Sequence, residues 1–373
     1  MITARQCTCV SAMLLLALGC SHGEPFAAED HTPDEFLATG EPARLTFGDA
    51  VGEPGWLPDG RAIVYAGGAL TGVPPDRCLL VIPATGGSIM SEVCNAAAFA
   101  DIVDTWAYPA ASGDRLAFYY QNSARGVAPT VAGIYVAPLA APVVSAPVRS
   151  IPFVAPDGVF YIAASHVTWL GNQLLFIGYS EQTVQPCPPP CDPIRVEYPL
   201  ALLRGRAEPG ATFSAVPGIA FPTSAVAGAT GDEIYFTLAN DSRIYHRVLS
   251  TGAQSVIRDF AGDGIVRDLS YASGRLAAVV GGKVKVWLEP AGPLQSPDEG
   301  GHLHVLDLAA GSQQRLTGND RWFRHPAWSP AGTALVGEGH AVTIDQDPDS
   351  PPDLPVLDTA VAPRGDLWVY RAP

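Results

Sequence analysis

The sequence predicts an all-β fold, and three observations carry that prediction. Six turn glycines are each followed within four residues by a short apolar run, and each of those runs is followed by a second one. The turn glycines are Gly60, Gly113, Gly171, Gly231, Gly274 and Gly332, and they are spaced by 53, 58, 60, 43 and 58 residues. A period near fifty with several short strands per unit is typical of a propeller, whose blades bury their faces against their neighbours. We therefore predict a six-bladed β-propeller.

The apolar runs are the predicted strands. The first runs begin at Ile63, Leu116, Leu174, Ile234, Leu276 and Ala334, and the second runs begin at Leu79, Ile134, Leu200, Ile244, Leu303 and Leu367. They are rich in β-branched and aromatic residues and are bounded by Gly, Pro, Asp and Ser, which is the pattern of strands joined by turns. Most of the 38 glycines and 35 prolines fall between the runs. No amphipathic segment of helical period competes with this interpretation.

Residues 1–20 are predicted to be a lipoprotein signal peptide outside the fold. Arg5 supplies a positive charge, and residues 10–18 form an apolar stretch too short to remain as a membrane-spanning helix. The stretch ends in Ala17-Leu18-Gly19-Cys20-Ser21, which resembles the bacterial lipoprotein signal. That resemblance implies lipidation of Cys20 and export, with anchoring to the outer membrane facing the periplasm or at the cell surface. The alternative is an ordinary secretory signal with an incidental cysteine.

The rest of the chain divides into a tether and one domain. Residues 21–40, rich in Gly, Glu, Pro, Ala, Asp and Thr, are predicted to be a flexible acidic tether, and residues 41–373 the propeller. The net charge is −15, and the 22 basic residues form no stripe. We therefore expect no nucleic-acid partner and no binding to anionic head groups, so the membrane is reached through the N-terminal lipid alone.

The cysteines indicate an oxidising compartment. Without the signal peptide, Cys78, Cys94, Cys187 and Cys191 remain, which is an even number. Cys78 and Cys94 lie symmetrically about Gly86 and would face each other across a hairpin, within disulfide range. Cys187 and Cys191 flank three prolines in a loop that a local disulfide could close. We predict two disulfides; a zinc site is the alternative, but the spacing of Cys187 and Cys191 is not the usual one.

Three segments carry a family resemblance. They are Arg44-Leu45-Thr46-Phe47, Pro54-Gly55-Trp56-Leu57-Pro58-Asp59-Gly60-Arg61 and Pro326-Ala327-Trp328-Ser329-Pro330-Ala331-Gly332. They resemble the repeat of TolB-like β-propellers, in which Leu-Thr ends one unit and Pro-x-Trp-Ser-Pro-Asp-Gly opens the next. Arg315-Leu316-Thr317 is a second copy of the ending. The middle units keep only an aromatic residue and a turn. The resemblance implies a protein-interaction module, and some such domains are attached to hydrolase domains.

The two ends of the chain are predicted to meet in the last blade. The first Leu-Thr precedes the first Pro-Asp-Gly turn, and only Arg371-Ala372-Pro373 follow the last predicted strand. Leu45-Thr46-Phe47 should then supply the outer strand of the sixth blade. Such closure removes the exposed edges that an open sheet would leave. The alternative is an N-terminal strand that pairs elsewhere.

Six polar residues align three positions before the place of Trp56 in each unit. They are Glu53, Asp104, His166, Ser224, Asp268 and His325. At the start of the innermost strands they would ring the mouth of the channel, where an envelope protein or a small ligand would bind. Three carboxylates and two imidazoles could hold a divalent cation such as Ca²⁺ or Zn²⁺, although no cofactor is firmly implied. The alternative is a polar lining of a hydrated channel.

Three further patterns are predicted to have no catalytic role. Asp345-x-Asp347-x-Asp349 imitates the start of a calcium loop without its glycine and distal glutamate, so an acidic surface loop is expected. His302 and His304 should share one face of a strand, expected to be solvated. Aromatic packing between blades is expected of four tryptophans: Trp106, Trp169, Trp287 and Trp328.

The predicted function is a non-catalytic binding or scaffolding module of the cell envelope. The sequence contains no Gly-x-Ser-x-Gly elbow, no phosphate loop and no His-Glu-x-x-His motif. An enzyme would therefore have to use the channel mouth itself. The alternative function is a metal-dependent propeller hydrolase of the lactonase kind that uses the ring residues, and a sugar- or peptide-binding propeller is a third class.

Overall fold

The computed structural model describes twenty ranges of the chain. They are residues 42–47, 51–68, 77–93, 102–124, 131–140, 143–144, 149–151, 162–163, 167–179, 181–184, 194–197, 200–208, 211–281, 285–288, 292–295, 301–318, 321–341, 343–344, 355–358 and 365–372. Every regular element within these ranges is a β-strand. The all-β class predicted from the sequence is confirmed.

The first three blades follow one another along the chain after a short first strand, β1 (Ala43–Arg44). Blade 1 consists of β2 (Val51–Trp56), β3 (Ala62–Gly68), β4 (Arg77–Pro83) and β5 (Ser91–Val93). Blade 2 consists of β6 (Ile102–Ser112), β7 (Arg115–Ala124), β8 (Val131–Ala140), β9 (Val143–Val144) and β10 (Arg149–Ile151). Blade 3 begins with β11 (Ile162–Ala163) and β12 (Thr168–Leu170), which both pair with β13 (Gln173–Tyr179). A separate hairpin, β14 (Glu181–Val184) with β15 (Ile194–Glu197), precedes its last strands, β16 (Ala201–Arg206) and β17 (Ser214–Ala215).

The last three blades repeat this plan. Blade 4 consists of β18 (Pro222–Ala227), β19 (Glu233–Leu238), β20 (Arg243–Val248) and β21 (Gln254–Asp259). Blade 5 consists of β22 (Ile265–Ala272) and β23 (Arg275–Gly281), then, after the inserted strands β24 (Lys285–Leu288) and β25 (Gly292–Gln295), of β26 (His302–Asp307) and β27 (Ser312–Arg315). Blade 6 consists of β28 (Arg321–Trp328) and β29 (Ala334–Ala341), then, after the inserted strands β30 (Thr343–Ile344) and β31 (Pro355–Asp358), of β32 (Asp366–Arg371) and β1.

The innermost strands form a closed ring. In order around the channel, β2, β6, β12, β18, β22 and β28 each contact the next, and β28 contacts β2. The predicted first runs lie in the second strand of each blade and the predicted second runs in the third strand. The prediction of a six-bladed propeller is therefore confirmed.

The two ends of the ring differ. We call the end that carries the turns between the first and second strands of each blade the turn face, and the opposite end the insertion face. Chain is inserted between the second and third strands of blades 3, 5 and 6, on the insertion face. The insertions of blades 5 and 6 pair with each other as one sheet in the order β25-β24-β31-β30, with β24 parallel to β31.

The hydrophobic core lies between the blades. Side chains alternate along each strand, so that one set packs against the preceding blade and the other against the following one. Val64 and Leu79 of blade 1, for example, pack against Phe118 and Leu139 of blade 2. Ile63 and Leu80 point the other way and pack against Val369 of blade 6. Each blade is thus stabilised by both of its neighbours, as the sequence period requires.

Blade 6 is completed by the N-terminal strand. Ala43 pairs with Val369 and Arg44 with Trp368, and the backbone N–H of Leu45 donates to Leu367 O at 2.8 Å. The predicted closure is confirmed, although the paired strand begins two residues earlier than the Leu-Thr motif.

A buried ion pair fixes this closure. Arg44 Nε donates to Asp366 Oδ2 at 3.1 Å, and only 3% of Asp366 is exposed. Thr46 Oγ1 donates to Asp366 Oδ1 at 2.8 Å and accepts from the backbone N–H of Leu367 at 2.9 Å. The pKa of Tyr65 is raised to about 12, first by burial and then by the charge of Asp366. The carboxylate is thus held by partners on two sides, which a buried charge requires.

The predicted hairpin of blade 1 is also present. Leu79 lies opposite Val93 and Leu80 opposite Glu92, which is the register that a Cys78–Cys94 pairing requires. Cys78 is fully buried and disulfide-bonded. Its predicted partner Cys94 lies outside the described residues, as do Cys187 and Cys191, so the two pairings stay predictions.

The signal peptide and tether, residues 1–40, also lie outside the described ranges, so these domain bounds and the lipidation of Cys20 stay predictions. In the part of the chain that is described, no helix is long and apolar enough to cross a membrane.

We predict that breaking the closure destabilises the whole ring. Arg44→Ala leaves Asp366 buried without its cation and should lower the free energy of unfolding by about 3–5 kcal/mol, measured by urea denaturation. The control is Arg243→Ala, which removes the exposed partner of Asp241 and should change the free energy of unfolding far less.

Deletion of residues 40–48 should leave the edge of β32 open and promote aggregation. A deletion protein that stays monomeric with an unchanged melting temperature would contradict the role of β1.

Candidate functional site

Three innermost strands contain the same kind of β-bulge near the channel. Glu53, Tyr108 and His325 have positive φ angles of 56°, 54° and 49°, and each is followed by a proline. Each lies at a register shift in the pairing between the first and second strands of its blade. Positive φ is costly for a residue with a side chain, so the rest of the blade must hold these bulges in place.

These bulges correct the alignment of blade 2. The residue equivalent to Glu53 and His325 is Tyr108, four positions after the predicted Asp104. Asp104 lies in β6, but its side chain is outside the described part of the chain, and so is the whole of His166. The strand register places Tyr108 at this position, because Ala111 lies opposite Leu116 in blade 2 as Trp56 lies opposite Ile63 in blade 1. The Tyr108-Pro109 dipeptide, which matches Glu53-Pro54 and His325-Pro326, was the available signal.

The predicted ring residues that the structure describes connect neighbouring blades. Glu53 Oε2 accepts a hydrogen bond from the backbone N–H of Tyr108 at 3.1 Å. Ser224 Oγ accepts from the N–H of Leu269 at 3.0 Å, and Asp268 Oδ2 accepts from the N–H of His325 at 3.2 Å. In each case the acceptor belongs to one blade and the donor to the next. These side chains therefore satisfy inner-strand amides that the sheet leaves without a strand partner.

His325 lies between two carboxylates from different blades. Its Nδ1 is 3.8 Å from Asp268 Oδ2 of blade 5, and its Nε2 is 4.0 Å from Glu338 Oε2 of blade 6. Glu338, which no sequence pattern indicated, is 3% exposed and accepts from the N–H of Gly365 at 3.3 Å. A Cβ atom at Gly52 of blade 1 would lie 3.0 Å from Glu338 Oε2. Three blades thus meet around one imidazole and one buried carboxylate.

These contacts do not amount to a metal centre. Within the described ranges, no group of three or more His, Cys, Asp or Glu side chains is placed to hold a metal ion. Because His166 and the side chain of Asp104 are not among the described residues, the complete ring as a Ca²⁺ or Zn²⁺ site stays a prediction. Asp345, Asp347 and Asp349 also lie outside the described ranges.

The turn face opens into a cavity. It has a volume of about 910 Å³ and is lined by the ends of all six innermost strands. We call it the turn-face mouth. Its walls contain Trp56, Trp169, Trp328, Tyr271, several prolines and many small residues. Among the described residues that line it there is no Asp, Glu, Lys, Arg or His. In a chain with a net charge of −15, this is a locally uncharged surface.

Tryptophans hold the walls of the turn-face mouth together. Trp56 Nε1 donates to Ala327 O of blade 6 at 2.9 Å, and Trp169 Nε1 donates to Ala110 O of blade 2 at 2.8 Å. In both cases the indole reaches the carbonyl of the preceding blade.

Trp328 is packed in the same way but differs in its hydrogen bonding. It is 6% exposed and its Nε1 has no hydrogen-bond partner among the described residues, while its backbone N–H donates to Ser270 Oγ at 3.0 Å. The predicted packing between blades is confirmed for Trp169 and Trp328. The side chains of Trp106 and Trp287 are outside the described part.

The prediction of a solvated face for His302 and His304 is wrong for His304. This side chain is 5% exposed and packs edge-on against Phe260 of blade 4, with 5.3 Å between ring centroids. His304 Nδ1 and Gln313 Nε2 are hydrogen-bonded at 3.1 Å. His302 instead accepts from Arg315 Nη2 at 3.0 Å. The two histidines therefore have separate structural partners.

The structure is similar to several solved structures at low sequence identity. No protein-family model matches the chain, and no curated protein matches it. The structure is similar to a putative TolB from Agrobacterium tumefaciens, with 11% identity, 87% of this chain and 90% of that chain covered, and a TM-score of 0.44. It is similar to TolB from Acinetobacter baumannii, with 12% identity, 83% of this chain and 63% of that chain covered, and a TM-score of 0.45.

A luciferin-regenerating enzyme is similar to the same extent, with 9% identity, 87% of this chain and 92% of that chain covered, and a TM-score of 0.44. The propeller is thus structurally similar to TolB propeller domains at low identity. Similarity at this level carries no argument about activity, and the fold rests on the sheet pairings.

We predict that His304 makes stability depend on pH. Burial, followed by the charges of Arg315 and Arg258 against that of Asp263, lowers its pKa from 6.5 to about 4. Between pH 6.5 and pH 4 the imidazole of His304 is therefore protonated in the unfolded chain but mostly neutral in the folded chain. Stability should fall as the pH drops from 6.5 to 4, by about 3 kcal/mol from this group, and no further below that.

The measurement is urea denaturation at pH 7 and at pH 4.5. His304→Gln should lose less stability between the two pH values than the unchanged protein does, whereas the control His246→Gln, at a partly exposed position, should lose as much. Equal losses in His304→Gln and in the unchanged protein would rule out the buried imidazole as the cause.

Proposed function

We propose that the chain is an exported, lipid-anchored binding or scaffolding propeller of the cell envelope, without catalytic activity, that takes its partner at the turn-face mouth. The observation that carries this proposal is the mouth itself, a cavity of about 910 Å³ to which all six blades contribute and whose described lining is uncharged. Binding sites are commonly concave, largely apolar and preformed, and this cavity has those properties.

The lining indicates the chemistry of the partner. Small residues such as Gly55, Ala227 and Gly228 leave backbone groups near the surface of the cavity, and prolines remove some of their N–H donors. A partner that enters should therefore be uncharged where it touches the wall and should offer hydrogen-bond donors to carbonyl oxygens. A neutral segment of an envelope protein or a small neutral ligand fits this description.

The position of β1 supports the membrane side of the proposal. Ala43 pairs with Val369 and the N–H of Leu45 donates to Leu367 O, so β1 begins toward the turn face and runs toward the insertion face. A tether of about 20 residues has a root-mean-square length of about 25 Å. With Cys20 lipidated, the turn-face mouth would lie near the membrane surface, where a partner anchored in the same membrane can reach it.

The alternative of a metal-dependent hydrolase would use the ring of polar residues. Three of the described ring side chains, those of Glu53, Ser224 and Asp268, are engaged in hydrogen bonds between blades. The binding-module proposal has the uncharged mouth in its favour, and we retain it.

Site-specific photocrosslinking tests the mouth. Ala229 is exposed and lines the mouth in blade 4, whereas Val256 is 47% exposed on the outer strand of the same blade. p-Benzoylphenylalanine at position 229 should give a discrete adduct with an envelope component in intact cells, and the same group at position 256 should not. The same adducts from both positions, or none from either, would contradict a partner at the mouth.

Fractionation tests the anchor. The unchanged protein should carry acyl mass on Cys20 and sediment with membranes, and Cys20→Ser should lose that mass and appear in the soluble fraction, because one cysteine carries the acyl chains. Ser21→Ala is the matched control and should remain in the membrane fraction. If the unchanged protein carried no acyl mass and appeared in the same fraction as Cys20→Ser, lipidation would be refuted.

A further inference from the structure

A second pocket lies at the outer edge of blade 3, away from the turn-face mouth. It is open and polar and has a volume of about 500 Å³. It is formed by the start of β13, the end of β16, the start of β17, and Glu208, Ala211 and Thr212 between β16 and β17. Its polar lining residues are Gln173, Arg204, Arg206, Glu208, Thr212 and Ser214. The pocket lies on the turn face, because Gln173 directly follows the turn between the first and second strands of the blade.

The strand register places four polar side chains on one face of the sheet. Arg204 and Arg206 are two positions apart on β16, so their side chains leave the strand on the same side. Gln173 of β13 lies directly opposite Arg206, and Ser214 of β17 lies directly opposite Arg204. Directly opposite residues share a face of the sheet. Two guanidinium groups, one amide and one hydroxyl are therefore gathered at one corner of the blade.

Both guanidinium groups are available. Neither Arg204 nor Arg206 makes an ion pair or a side-chain hydrogen bond with another residue of the described part. Other arginines of the structure have partners. The guanidinium of Arg115 stacks over the ring of Trp169, with Cζ 4.4 Å from the ring centroid, and Arg243 Nε lies 2.8 Å from Asp241 Oδ1. Glu208 is the one acidic side chain among the described residues that line the pocket, and it forms no ion pair with either arginine.

We propose that this pocket binds a phosphate group. Guanidinium groups hold oxyanions through paired N–H donors, and hydroxyl and amide N–H donors can complete the coordination of the remaining oxygens. A phosphate monoester carries close to two negative charges at neutral pH, which two arginines neutralise. The open side of the pocket leaves room for the rest of a phosphorylated molecule. The proposal is independent of the binding site proposed for the turn-face mouth.

The phosphate can come from a soluble monoester or from a lipid head group. A lipid is within reach if the protein is lipid-anchored as proposed, because β1 begins toward the same face as the pocket. The sequence predicted no binding to anionic head groups on the ground that no basic stripe exists. A pocket with two arginines differs from a stripe, since it can recognise one phosphate by its geometry without a large positive field.

Calorimetric titration of the full chain with inorganic phosphate tests the proposal. At low salt and pH 8 we expect saturable binding of one phosphate with a millimolar or tighter Kd, weakened at least tenfold in R204Q/R206Q. The matched control R61Q/R258Q removes two exposed arginines elsewhere and should leave the Kd unchanged. Binding should weaken at pH 5.5, because inorganic phosphate then carries mostly one negative charge, whereas at pH 8 it carries mostly two. Equal binding by R204Q/R206Q, or no saturable binding by the unchanged protein, would overturn the proposal.

Two further arms keep the test decisive. R204K/R206K retains the positive charge but lacks the planar guanidinium groups. Weaker phosphate binding by this variant than by the unchanged protein supports recognition by geometry. The variant also replaces R204Q/R206Q if R204Q/R206Q does not fold. Cosedimentation of Cys20→Ser with phosphatidylcholine vesicles, with and without phosphatidic acid, separates the two sources. Arginine-dependent binding to phosphatidic acid supports a lipid head group, arginine-dependent binding of glycerol 3-phosphate alone supports a soluble monoester, and binding in neither arm refutes the site.

Discussion

The buried pair of Arg44 and Asp366 holds the first strand of the chain against the last, across 322 positions of sequence, and the ring depends on that contact. Every blade packs its two faces against its neighbours, so a break at blade 6 would expose faces of blades 1 and 5 as well. A buried ion pair is stabilising only when its remaining hydrogen-bonding groups are satisfied. Thr46 does this here, because it bonds both the carboxylate and the backbone of β32.

The channel follows the same principle of joining one blade to the next. Innermost strands have one edge without a strand partner, and Glu53, Ser224 and Asp268 supply acceptors for amides on the following blade. Polar side chains near the channel are thereby used in assembly. The turn-face mouth lies at the end of the same strands, beyond the bulges, and its described lining carries no charge. A surface that needs no charged groups for its own assembly is free to be complementary to a neutral partner.

The sequence predicted the features that repeat and the closure of the ring, but it did not predict the other contacts between distant parts of the chain. The apolar runs gave twelve strands, because their composition and period are local signals, and closure followed because each end of the chain lacked what the other supplied. The burial of His304 was missed, since Phe260 of the preceding blade creates it. The sheet of β24 and β31 had no local signal, because it pairs two separate insertions in parallel. Glu53, Ser224, Asp268 and His325 lie on innermost strands, and the hydrogen bonds made there across blades have no sequence pattern.

The pairing of β1 with β32 also sets an order of events in the life of the chain. β1 emerges from the ribosome before the other strands of the ring, and its partner β32 emerges after them, so blade 6 cannot be complete until β32 has been made. In a chain that is exported as proposed, the same dependence would keep the ring open during translocation, because β32 crosses after the other strands of the ring. The closing contact would then form only on the far side of the membrane, and an unfinished chain would remain recognisable to proteases by its open edge.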